Sequence, residues 1–134
     1  MSLFQWSETL SVGYPDIDSQ HKRLFQLADQ LYTGMTEDKG KQVLSNTLNN
    51  LVAYTKRHFA DEEVLMQLHR YPGSSQHKAE HQVLADKLAQ FQKAFAADRA
   101  TVTLPLLETL RDSMVQHMQG TDKKMADHLK RQVR

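Results

Sequence analysis

The chain contains no cysteine, which excludes disulfide staples and thiolate metal sites, and nothing in it argues for an oxidising compartment. Glycine and proline are scarce, 5 and 3 in 134 residues, so the elements between breaks are long. An excess of either charge is missing too: 17 basic residues against 16 acidic leave a net charge of +1. No long-range field therefore draws in a nucleic acid. The clustered cations Lys123, Lys124, Lys130, Arg131 and Arg134 are expected to close a last helix, where they offset the negative end of its dipole. The opening "MSLFQWSETL" has neither the basic region nor the apolar core of a secretory signal, and no run approaches the roughly 18 apolar residues of a membrane span. These absences lead us to expect a soluble cytoplasmic protein. Its length fits one domain over residues 1–134, and 40% hydrophobic content is enough for one modest core.

What is present is helical periodicity. The few breaks fall at "VGYPD" (12–16), "EDKGK" (37–41), "YPGSS" (71–75) and "DRATVTLP" (98–105), leaving an irregular amino-terminal arm and four long segments. Each segment repeats apolar residues at spacings of three and four. The stripes are Ile17, Leu24, Phe25, Ala28, Leu31; Leu44, Leu48, Leu51, Leu65; Leu84, Leu88, Phe91, Phe95; and Leu107, Leu110, Met114, Met118, Met125. Asp18 or Ser19 could cap the first helix, Ser74 or Ser75 the third, and Thr103 with Pro105 opens the fourth. Short links between amphipathic helices force antiparallel neighbours. The expectation is an all-α, up-down-up-down four-helix bundle, monomeric because no outer face is obviously apolar.

The polar residues then stand out by where they fall. "HKAEH" sets His77 and His81 four apart on the buried side of the third helix, their directions differing by about 40°. In "HFADE", His58 and Glu62 repeat that spacing on the stripe of the second helix. His21 lines up with the apolar stripe of the first helix, and His117 lies beside that of the fourth. Asp122 is the awkward member, because five residues of regular helix turn it about 140° away from His117. Either a π-type turn near Gly120 or the reach of a carboxylate lying between two ions would reconcile it.

Five buried imidazoles and two buried carboxylates are costly if nothing pairs them. A lone buried carboxylate costs several kcal/mol and an unsatisfied imidazole about 1–3 more, against a net stability of roughly 5–15 kcal/mol for a domain. Cations resolve the cost. One six-coordinate ion cannot take seven side chains, whereas two ions bridged by Glu62 and Asp122 would use them all. Nitrogen and oxygen donors without sulfur suit iron, zinc, copper or nickel over magnesium or calcium.

His21 within "DIDSQHKRLF", His58 and Glu62 within "HFADEE", the pair His77 and His81, and His117 with Asp122 together resemble the bacterial hemerythrins. The likeness covers nearly the whole chain, including the arm with Trp6, Val12 and Gly13. It implies two non-heme iron ions that bind dioxygen reversibly, for storage, delivery or sensing, and no enzyme. His77, His81 and His117 would hold one iron, His21 and His58 the other. Glu62, Asp122 and an oxo or hydroxo group would bridge them, leaving one position open. A pocket lined by residues such as Phe25, Phe59, Leu110, Met114 or Met118 would admit a small neutral gas and slow the entry of water. Ser113 is one departure, since many relatives carry a tryptophan shortly before the fourth-helix histidine.

Rival readings explain less. "HKAEH" also spells the inverted zinc-protease pattern with Glu80 as general base, but this leaves His21, His58, Glu62, His117 and Asp122 idle. A ferritin-like oxidase needs Glu-x-x-His on two helices, and the sequence has none. A metal-free bundle meets the burial cost already given. Asp61, Glu63 and Glu80 are expected on solvated surface, and His69 and His128 facing solvent or offsetting helix dipoles.

Overall fold

A computed structural model describes residues 2–132; Arg134, read above as one of the closing cations, lies outside them. Helix α1 spans Pro15–Thr36, α2 Lys41–Leu68, α3 Ser74–Ala96 and α4 Leu104–Gln116. The fourth rod continues through a π-helical turn, His117–Asp122, into α5, Lys123–Gln132. A 3₁₀ turn at Glu8–Leu10 is the regular part of the arm. No strand occurs among the described residues. The chain is an antiparallel four-helix bundle, as the stripes and short links imply.

Helix starts follow the sequence unevenly. Thr103 caps α4 as expected, its hydroxyl accepting from the Leu106 amide. Pro15 at the first turn starts α1 one residue after Tyr14, so Asp18 and Ser19 lie inside the helix instead of capping it. The Asp18 carboxylate turns back to the arm, accepting from Ser11 Oγ and the Val12 amide. In α3 the cap is Gly73, one residue before the serines proposed for it.

Three helices stop without a glycine. Asp38, Arg70 and Asp98 adopt left-handed φ of 50°, 53° and 60°. Each sits in a paired closure: Lys39, Tyr71 and Arg99 amides return to the carbonyls of Gly34, Met66 and Ala94. Those bonds satisfy the last carbonyls and reverse the chain sharply enough for antiparallel packing.

The core is not continuous. One apolar cluster gathers Phe4, Leu10, Leu24, Phe25, Leu31, Leu48, Leu51, Phe95, Leu107 and Met118. A smaller one gathers Val12, Ile17, Met66, Met125, Ala126 and Leu129. Along three of the four rods the boundary falls at a polar residue: His21 between Ile17 and Leu24, His58 and Glu62 between Leu51 and Met66, Asp122 between Met118 and Met125. Two oily ends thus enclose a polar layer.

The arm closes one side of this assembly. Asp29 accepts from the Leu3 and Phe4 amides, Gln119 donates to the Thr9 carbonyl, and Lys130 donates to the Val12 carbonyl. Packing is looser between α3 and α4, where Leu84, Leu88, Phe91, Leu106 and Leu110 are only half-buried and line a cavity of about 200 Å³.

Candidate metal centre

All seven side chains singled out by spacing come together in the polar layer, with 0–6% of each residue exposed. α1 supplies His21, α2 supplies His58 and Glu62 one turn apart, α3 supplies His77 and His81 one turn apart, and the π turn supplies His117 and Asp122. The 140° mismatch at Asp122 is removed by that turn. Its wider i→i+5 winding absorbs one extra residue, so two residues five apart face the same way.

The geometry divides the donors. All five histidines of the cluster aim Nε2 inward. Glu62 Oε1 lies 3.4 Å from His77 and 2.9 Å from His81, while its Oε2 lies 3.6 Å from His21 and 3.1 Å from His58. Asp122 Oδ1 lies 3.0 Å from both His77 and His117, and its Oδ2 lies 3.0 Å from His21. Each carboxylate therefore presents one oxygen to the set His77, His81, His117 and the other to the set His21, His58. Metal-ligating atoms group in the same way: Glu62, His77, His81, His117 and Asp122 in one set, His21, His58, Glu62 and Asp122 in the other, with atoms in each set within 4.8 Å of one another.

These atoms are also poorly satisfied by protein. His21, His58, His77 and His117 Nε2, Glu62 Oε2 and both Asp122 oxygens are buried without a well-aligned hydrogen bond. Orphaned buried lone pairs that converge from four rods are what cations would complete, so the residues present fit a pair of metal ions. In the metal-free chain protons partly fill that role. Burial pushes His21 and His77 down, but bonds to Asp122 and Glu62 outweigh it and raise both to about 9. His117 is raised for the same reason, with Asp122 its strongest partner. Burial opposes ionisation of Glu62 and Asp122, yet the facing imidazoles hold both carboxyls below their usual range.

Beyond the donors lie partners that sequence reasoning placed in solvent or overlooked. His81 Nδ1 donates to Glu63 at 2.9 Å, and His117 Nδ1 to Glu80 at 2.5 Å. His58 Nδ1 donates to the Gln20 carbonyl at 2.6 Å, and the Gln20 amide donates to Asp61. Glu63, Glu80 and Asp61 are thus half-buried hydrogen-bonding groups: the two glutamates are long enough to reach round the helix from a flanking position, and Asp61 is met by Gln20 of α1. The available signal was adjacency: Gln20, Glu63 and Glu80 each directly neighbour a residue of the cluster. His128 is likewise half-buried, donating to the His69 carbonyl, with its ring 5.2 Å from Tyr71.

A cavity of about 70 Å³ abuts the cluster, lined by Leu24, Leu51, Phe59, Leu84, Leu88, Leu110, Met114 and Met118, with Thr55 and Ser113. Four of the five lining residues anticipated are there; Phe25 is not, because it packs edge-on against Phe4 and Trp6 in the core. His21, His58, His117 and Asp122 also reach this cavity, so it meets both histidines of the two-histidine set and only His117 of the other. Phe59 stacks on His81 at 3.9 Å and helps keep that imidazole dry.

Comparison with known proteins gives consistent likenesses. The family model described as "Hemerythrin HHE cation binding domain" matches residues 12–129. A bacteriohemerythrin of Methylococcus capsulatus is 35% identical, covering 92% of this chain and 94% of that protein. One of Stenotrophomonas maltophilia is 30% identical over 97% of this chain and 84% of its own length. A myohemerythrin of Theromyzon tessulatum is 30% identical over 89% of this chain and 88% of its own. Among solved structures, wild-type hemerythrin superposes with a TM-score of 0.89 at 29% identity, covering 96% of this chain and 98% of that one.

Proposed function

Because the chain belongs to the hemerythrin family, we propose that His77, His81 and His117 hold one iron ion and His21 and His58 a second, with Glu62, Asp122 and an oxo or hydroxo group bridging them. Family membership makes it a di-iron protein that binds dioxygen, not an enzyme. The observation that carries the residue assignment is the splitting of both carboxylates, one oxygen to each histidine set.

A reduced pair of irons held there would supply reversible two-electron chemistry toward dioxygen. The rest is the work of the protein. Carboxylates on the outer nitrogens of His81 and His117, and an amide on that of His58, fix each imidazole with Nδ1 protonated and Nε2 free to donate inward. An ion held by His21, His58 and the two carboxylates would have fewer protein ligands than one held by His77, His81, His117 and the same carboxylates, and the cavity meets both His21 and His58. Its volume of about 70 Å³ holds a small gas molecule, given the roughly 10–15 Å³ that one water-sized sphere needs. The apolar lining offers water few partners and favours the neutral gas.

The zinc-protease alternative loses its general base, since Glu80 is engaged by His117 and Thr121. No helix among the described residues is long and apolar enough to cross a membrane. We take the chain to act as a cytoplasmic monomer that stores, delivers or, with a separate partner, senses dioxygen. Among the described residues its large exposed apolar side chains are few, Val43, Val64, Leu68, Val83 and Leu104. Metal analysis of purified protein, with absorption spectra before and after dioxygen removal, tests the function. Two irons per chain and a reversible visible change are expected; a single zinc with no change would defeat the reading. Light scattering at the mass of one chain tests the monomer.

A further inference from the structure

The π turn raises a question that the family likeness leaves unanswered: what holds a wide, rarely populated winding in place in this chain? An α-helical register through residues 117–122 would swing Asp122 out of the cluster. Within the turn, no side chain packs where a Gly120 Cβ would lie, since nothing is within 4 Å of that point outside the helix's own backbone and chain neighbours.

The hold comes from a different rod. Glu80, on α3, accepts from His117 Nδ1 at 2.5 Å and from Thr121 Oγ1, which lies 2.9 Å from each carboxylate oxygen. One side chain therefore grips the first and fifth residues of a six-residue turn, and Thr121 adjoins Asp122. Apart from the metal-binding pair itself, where His77 Nε2 lies 3.0 Å from Asp122 Oδ1, the side-chain hydrogen bonds that join α3 to the turn among the described residues pass through Glu80. Glu80 also directly precedes His81, so the backbone that places one donor of the three-histidine set places the group that orients another.

We propose that Glu80 is a positioning residue of the metal centre, holding His117 and the π turn so that His117 and Asp122 reach the same ion. The proposal rests on the di-iron reading above. Its action is geometric: two acceptor oxygens at fixed places, one for an imidazole N–H and one for a hydroxyl. A glutamine keeps one carbonyl acceptor for His117, whereas an alanine keeps none, and Thr121→Val removes only the hydroxyl end of the grip.

The test loads native protein, Glu80→Ala, Glu80→Gln and Thr121→Val with ferrous iron without oxygen. It then follows iron transfer to a chelator, the visible spectrum of the oxidised pair, and far-ultraviolet circular dichroism of each metal-free form. Loss of such an outer partner weakens metal holding by about 10–100-fold, so Glu80→Ala should release iron faster by that factor, in a phase of about one iron per chain, with an altered spectrum. Glu80→Gln should restore most of the native retention and spectrum, and Thr121→Val should fall between. Glu80 is partly exposed and none of these changes empties a core position, so metal-free helicity should match native in all four. Native-like release and spectrum in Glu80→Ala would overturn the proposal while leaving the di-iron reading intact. A loss in Glu80→Ala matched by lost metal-free helicity, with Thr121→Val native in every respect, would also overturn it. Native protein that takes up no pair of irons would end both.

Discussion

Two residues separate the parts of the site that can be tested one side chain at a time. Glu62 faces four imidazoles, two through each oxygen, so replacing it removes negative charge and a donor from both metal sets at once. Glu62→Ala should abolish paired loading and leave at most one tightly held iron per chain by metal analysis; two irons resistant to chelation would refute its bridging place. Ser113 concerns access instead. The cavity at the centre and the larger one between α3 and α4 share Leu84, Leu88, Leu110 and Ser113, and the latter reaches exposed Lys87 and Thr109. Ser113→Trp fills that shared waist with an indole. A plug raises the barrier in both directions, so stopped-flow uptake and release should both slow at least tenfold. The affinity should move less than tenfold, within about 1.4 kcal/mol; unchanged rates would place the passage elsewhere. At this scale the clustered side chains were legible because a polar residue on an apolar stripe, as at His21, or an i,i+4 pair, as at His58 and Glu62 or His77 and His81, is visible in one dimension. Glu63, Glu80 and Gln20 were not, because their roles depend on which neighbouring rod their side chains meet.

Elements were legible where local chemistry sets them and less so where the tertiary fold does. Thr103 with Pro105 is a local signal and marks the start of α4. Asp18 carries an equally good capping side chain, but the arm claims it, and Pro15 starts the helix earlier. The π turn could be named as an option from the five-residue spacing, yet spacing alone cannot exclude a carboxylate reaching across. The bonds to Glu80, with the Gln119 bond to Thr9, tie the turn to α3 and to the arm. A consequence follows for Gly120, whose helical backbone and open surroundings tolerate a methyl group. Gly120→Ala should raise the thermal midpoint of the metal-free protein, with a gain of about 0.4–1 kcal/mol from a stiffer unfolded chain. It should keep two irons and the native spectrum. Lost iron would mean that the glycine itself, and not the grip from α3 and the arm, permits the turn.

Over the whole molecule, the polar layer that splits the core makes folding, metal and protons one linked system. The sequence implied such a layer from its burial cost, but the arm's closure through contacts as remote as Lys130 to Val12 needed the folded chain. In the metal-free fold His21 and His77 titrate at about 9 instead of 6.5. An imidazole raised in this way adds stability that is full below its unfolded value near 6.5 and is lost as pH rises through about 9. Glu62 and Asp122 are held low, so their share is present above the ordinary carboxyl range and disappears only in acid. Between pH 6.5 and 9 the metal-free protein should therefore lose stability from its histidines alone. Bound cations reverse the trend, because metal displaces those protons and proton competition weakens as pH rises. Stabilisation by a bound ion grows with its apparent affinity. The gap in thermal midpoint between metal-loaded and chelator-stripped protein should thus widen from pH 6.5 to 9, measured by circular dichroism without oxygen, and loading at pH 7 should acidify a weakly buffered solution. A gap that narrows over that range, or loading with no proton release, would mean that His21 and His77 do not surrender protons to the metal.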